Sequence, residues 1–165
     1  MPLARIASAL DRLVAGIVAL GRFLALPVVV LLFLQWPLRD FVQAYSRDAN
    51  DLGQWLFALY VAVAVTAATR ARTHLATDVV ARRYSARTRG LLARVAVLIG
   101  VLPWALFVLV AGRSLVVSSL LARESFADTT NPGYFLVKLA LWLLAGLMLV
   151  QGLVDLLTPS RESRT

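Results

Sequence analysis

The chain is predicted to be an all-α membrane protein with four transmembrane helices. Three observations predict it. Of its 165 residues, 60% are hydrophobic against 16% charged, whereas globular domains hold about 45–50% apolar and 25% charged residues. The charges fall between long apolar runs, and the mean hydropathy is +0.78. Four such runs approach the length a bilayer demands, about 20 residues for a core of about 30 Å at 1.5 Å per residue.

In order, the spans cover about residues 13–36, 52–70, 94–120 and 135–157 of a single domain. The first is Phe23 to Leu38, extended backwards through Leu13–Gly21 past Arg22. Arg22, Arg113 and Lys138 are read as lying toward span ends, where a long side chain snorkels to the headgroups. Arg5, Asp11, Arg12 and Arg22 fall within about 120° on a helical wheel, so the N-terminal stretch is amphipathic. Two arrangements fit: an interfacial extension before the first span, or one long tilted helix. Pro27 and Pro103 sit inside spans and are expected to kink them.

The loops orient the chain. Between the second and third spans, Arg70, Arg72, Arg82, Arg83, Arg87, Arg89 and Arg94 face one acid, Asp78. The loop at 39–51 has only Arg39 and Arg47, and that at 123–128 only Arg123, both with acids in excess. Short Arg-rich loops stay in the cytoplasm. The 70–94 loop and both termini are therefore expected inside, with Arg70, Arg72, Arg83 and Arg87 as candidates for lipid headgroups. This distribution also answers the net charge of +8: no aqueous domain carries a basic stripe for nucleic acid.

Chemistry is thin. Cysteine is absent and His74 is the single histidine, which argues against Cys-ligated metals and against a haem anchor with two axial histidines. His74 and Asp78 share a face if helical, but two ligands do not make a metal site. The central parts of the spans hold no Asp or Glu, where a self-sufficient carrier places its ionisable groups. No catalytic, cofactor or metal residue is assigned. A freestanding four-helix exporter would need an acid in the first span, and Phe23–Leu38 has none. A redox membrane anchor is the other rival.

Three local signals remain. Asp51 with Gln54 three residues on reads as a capping box for the second span. Ser85 reads as an N-cap for the cytoplasmic extension of the third. Trp36 and Trp55 sit at the outer span ends, where indole rings favour the headgroup boundary; Trp104 and Trp142 lie deeper and are assigned to helix packing.

With these residues in view, the chain resembles the small membrane subunit of the tripartite ATP-independent periplasmic (TRAP) transporters, the DctQ-like family. The matching segments are Phe33-Leu34-Gln35 followed by Arg39; Asn50-Asp51-Leu52 leading into Trp55-Leu56-Phe57; Arg72-Thr73-His74-Leu75-Ala76-Thr77-Asp78 with Arg82 and Arg83 beyond; and Asn131-Pro132 with Leu149-Val150-Gln151-Gly152-Leu153. The resemblance covers roughly Leu13 to Leu157. It implies a multi-pass protein of the bacterial inner membrane, partnered by a large M-type permease subunit and a periplasmic substrate-binding protein. The large subunit is expected to hold the substrate and sodium sites for uptake of an organic acid, the small one to brace it. Under that reading Gln35, Arg39, Asp51, Gln54 and Trp55 are outer-side contact candidates, and His74, Asp78 and Arg82 inner-side ones. Small and hydroxylated residues of the second span, Ala62, Ala64, Thr66, Ala67 and Ala68, are expected to admit a partner helix.

Overall fold

The structure, a computed structural model, describes residues 2–41, 47–71 and 84–158. Helix α1 (Pro2–Gly21) passes through one 3-10 turn (Arg22–Leu24) into α2 (Ala25–Asp40). Pro27 has no N–H to offer the carbonyl four residues back, and the chain tightens one turn ahead of it. Gly21 keeps helical dihedrals, φ −64° and ψ −23°, so the winding changes without a break, and Arg5–Pro37 is one apolar rod. Of the two N-terminal arrangements, the long continuous helix is the one adopted.

Helix α3 (Arg47–Ala71) is uninterrupted, whereas the third span is built from three helices: α4 (Ala86–Ala96), α5 (Leu102–Ala111) and α6 (Arg113–Leu121). A π-helical turn, Val97–Val101, joins α4 to α5. Pro103 would clash with the Ile99 carbonyl in a regular helix, and a widened turn at Ile99 relieves it. Ser85 caps α4 as expected, its hydroxyl accepting from the Thr88 N–H at 3.3 Å. Helix α7 (Tyr134–Leu157) completes the fold. Four helices are thus long and apolar enough to cross a membrane, and among the described residues there is no strand.

Helix α7 is the centre of the bundle, touching α1, α3, α5 and α6, while α2 packs on α3. The core is made of small and β-branched side chains such as Val14, Ala62, Val63, Ala105 and Ala145. Lipid offers no hydrophobic drive between helices, so close approach and dispersion must hold them. At Gly21 the approach is tightest: any Cβ there would overlap the Val63 side chain. The small-residue face of the second span is used inside the chain. Ala62 and Thr66 are buried, Thr66 donates to the Ala62 carbonyl at 2.9 Å, and Thr69 reaches the Met148 sulfur of α7 at 3.5 Å. Ala62 and Thr66 are therefore spent on the chain's own helices, while Ala64, Ala67 and Ala68 are half-buried.

Polar groups gather in two girdles. Asp51 and Arg70 are separated along α3 by about 28 Å of helix, and Lys138 and Asp155 along α7 by about 26 Å, close to the hydrocarbon thickness of about 30 Å. Arg22 departs from this pattern. Because α1 and α2 are one rod, Arg22 falls at the middle of Arg5–Pro37, exposed on the outside of the bundle.

Candidate functional site at the two polar ends

At the Asp51 end, α3 starts at Arg47, a turn earlier than a capping box would require. Asp51 is therefore inside the helix, and the Asp51–Gln54 cap does not form. Its carboxylate is instead buried and turned toward the 125–133 loop, where the Thr129 hydroxyl donates to it and the Asn131 amide approaches at 3.5 Å. The same amide donates to Asp48. Two acids one turn apart on α3 are thus tied to the loop that precedes α7.

That loop is built to hold them. Helix α6 ends in a Schellman motif, with Arg123 N–H bonded to the Leu120 carbonyl at 3.2 Å and Glu124 N–H to that of Ser119 at 3.0 Å. Arg123 takes the left-handed position, φ 46°, usually given to glycine. Phe126 N–H then reaches the Asn131 carbonyl at 2.9 Å. Gly133, at φ 148°, supplies a backbone that side-chained residues rarely adopt, and a Cβ there would meet the Phe126 ring at 3.3 Å and Trp55 at 3.6 Å. The Glu124 carbonyl accepts from Gly133 and Tyr134 at 3.3 and 3.1 Å, satisfying donors at the start of α7. The Glu124 carboxylate takes the Lys138 ammonium and the Ser119 hydroxyl. Its hydrogen bond from Lys138, then that from Ser119, hold its pKa below the usual carboxylate value of 4.5. Tyr134 sets its ring edge-on to Phe126, 5.5 Å between centroids, and under Lys138 at 5.3 Å.

An open cleft of about 610 Å³ lies over this loop, lined by Arg47, Asn50, Gln54, Asp128 and Thr129 among others. Gln54 is exposed and Trp55 half-buried. Gln35 places its amide against the bare backbone of Gly53, 3.9 Å from where a Cβ would sit. Trp36 is exposed and meets Phe41 edge-on at 6.2 Å. The side chain of Arg39 lies outside the described residues.

At the opposite end Arg70 is the hub. Its guanidinium lies 2.8 Å from Asp11 of α1 and donates to the Gln151 amide oxygen of α7 at 2.8 Å. Gln151 passes its own amide N–H to Asp155 at 2.9 Å. Three helices meet in one charge-assisted chain. Arg70 was a candidate for lipid headgroups, and here it is only 21% exposed and held by protein. Arg87 is exposed, while His74, Asp78, Arg82, Arg72 and Arg83 lie outside the described residues. Between the girdles, Trp142 donates its indole N–H to the Leu109 carbonyl at 3.1 Å, one turn before α5 gives way to α6. Trp104, assigned to helix packing, is 42% exposed instead.

Sequence reasoning missed the partners: Thr129 for Asp51, Glu124 for Lys138, and Asp11 with Gln151 for Arg70. Of these, Gln151 belongs to the motifs that carry the family resemblance, as does Asn131, which bonds to Asp48 and approaches Asp51. Among the described residues no three His, Cys, Asp or Glu side chains gather to hold a metal. The polar groups fasten helix ends to one another.

Fold and girdles define a helical multi-pass membrane protein whose ionisable side chains tie together the ends of its spans. A family profile, that of the DctQ component of the tripartite ATP-independent periplasmic transporters, matches residues 28–162. The chain belongs to that family: it is a TRAP transporter small permease subunit. Neither the comparison with curated proteins nor that with solved structures returned a match.

Proposed function

We propose that this subunit is the scaffold of its transporter, bracing a large permease subunit in the inner membrane while that subunit moves an organic acid delivered by a periplasmic binding protein. The observation that carries the reading is the placement of carboxylates. Every described Asp and Glu lies in or beyond a girdle, and Asp11, Asp48, Asp51, Glu124 and Asp155 are bonded within the chain. A group that carries cargo or a coupling ion across the bilayer has to be free near its midplane. Ion coupling, by sodium, and substrate selection are accordingly assigned to the large subunit.

The Arg70 end is taken as cytoplasmic, on the arginine content of the 70–94 segment. The Asp51 end then faces the periplasm, where Gln54, Trp55 and the cleft beside them are available to the rest of the assembly. Arg39, His74, Asp78 and Arg82 stay as contact candidates, and Arg72, Arg83 and Arg87 as candidates for anionic headgroups.

Deleting the chain while keeping the large subunit and binding protein is expected to abolish uptake, and the purified chain alone in liposomes is expected to move no solute. Undiminished uptake after deletion overturns the scaffold reading.

A further inference from the structure

Arg22 lies on the exposed surface of the first rod, between the two girdles. No described residue bonds to it, and it is exposed. Two rulers fix its depth. Along the first rod it lies about 16 Å from Asp11, which pairs with Arg70 in one girdle. Its neighbour Gly21 abuts Val63, which on α3 is about 10 Å from Arg70 and about 18 Å from Asp51. Both distances place the Arg22 backbone between the two girdles, inside the hydrocarbon layer they bound.

The surroundings are apolar. Leu26, Val29, Phe33 and Trp36, all on α2, fall within about 80° of one another at 100° per residue and are 72%, 61%, 66% and 56% exposed; Arg22, in the 3-10 turn just ahead of them, is exposed as well. Gly21 and Val28, both buried, mark the face of the rod that meets the bundle. The stripe therefore looks outward, away from the chain's own helices. Charged residues within spans almost always face protein or water and pair with another group. A neutral acceptor would leave the net charge standing in a medium of low dielectric; an anion cancels it.

We infer that the Arg22–Trp36 stripe is the surface on which the large permease subunit seats, and that this partner supplies a membrane-embedded carboxylate to Arg22. The inference rests on the proposed function, which requires a large transmembrane partner. It commits the contact to one face of the first rod and to one charge pair.

The chain offers clean chemistry for the test, having no cysteine and Lys138 as its single lysine. In the complex carrying Arg22→Lys, a hydrophobic carbodiimide activates a buried carboxyl group and the lysine amine displaces the urea, closing an amide bond between the two subunits. That covalent adduct is expected with Arg22→Lys and absent from the wild type and from Arg22→Leu. Capture of the large subunit by the tagged chain is expected to fall about tenfold or more in Arg22→Leu and to persist in Arg22→Lys. A photoreactive group on Phe23→Cys or Leu26→Cys is expected to label the large subunit, and one on Phe107→Cys, exposed on α5, to label lipid. No adduct, unchanged capture in Arg22→Leu, or labelling of lipid alone from positions 23 and 26 overturns the inference, the last by making Arg22 a lipid-phosphate ligand. Failure of the wild-type chain to capture the large subunit at all overturns the proposed function instead.

Discussion

Arg70 and Asp11 lie 2.8 Å apart, joining the cytoplasm-assigned ends of two spans separated by most of the first half of the chain. The same guanidinium holds Gln151 at 2.8 Å, so one side chain ties α1, α3 and α7. Replacing Arg70 with Met removes both bonds and leaves the buried Gln151 amide oxygen without its donor; a loss of about 1–3 kcal/mol is expected. Asp11 is 47% exposed, so Asp11→Asn is expected to cost less than about 1 kcal/mol. Thermal unfolding in detergent micelles ranks the two.

The Asp51–Thr129 bond fixes the other end. Asp51→Ala strands the Thr129 hydroxyl and frees Asn131 from one of its two acids, and Thr129→Val leaves a buried carboxylate short of a donor. Each is expected to destabilise by about 1–3 kcal/mol. Because the two share one bond, the double variant should fall short of their sum by about 0.5–3 kcal/mol, as a double-mutant cycle measures.

Glu124 makes the Lys138 girdle sensitive to acid. Its pKa is lowered in the fold, so the contribution is fully present above the unfolded value near 4.5 and is lost as pH falls through the lower, folded value. Melting temperatures of the wild type and Glu124→Gln are expected to differ at neutral pH and to converge as pH falls through the lowered, folded value. Lys138→Met is expected to weaken the pH dependence, since Lys138 is the largest cause of the shift.

At Gly21 the rod and α3 meet with no room for a side chain. Gly21→Leu must displace Val63, whose β-branched side chain has few rotamers to retreat to, and a cost of about 1–3 kcal/mol is expected. Adding Val63→Ala should return part of it. A Gly21 variant as stable as the wild type would mean that α1 and α3 do not pack this closely in the membrane.

Some of this was legible residue by residue. Ser85 caps α4 through Thr88, three positions away, and such a bond shows in any window of four residues. Asp51 and Gln54 offered the same local signal and it failed, because a carboxylate beside a helix start serves a distant donor as well as a local one. Thr129 is 78 positions along the chain, beyond any periodicity. Arg22 shows a different limit. Its depth depends on whether α1 and α2 are one rod or two segments, and hydropathy is indifferent to that choice.

What the amino-acid order determined alone is that four segments are long and apolar enough to cross a membrane, since each residue's cost of entering hydrocarbon is nearly independent of its neighbours and sums along the chain. Tertiary structure decided which polar groups meet: Asp11 with Arg70, Asp51 with Thr129, Glu124 with Lys138, and Arg22 with none of the described residues. Those pairings follow from helices brought within ångströms of one another by small residues such as Gly21 and Ala62, a proximity between distant segments that no additive measure along a sequence contains.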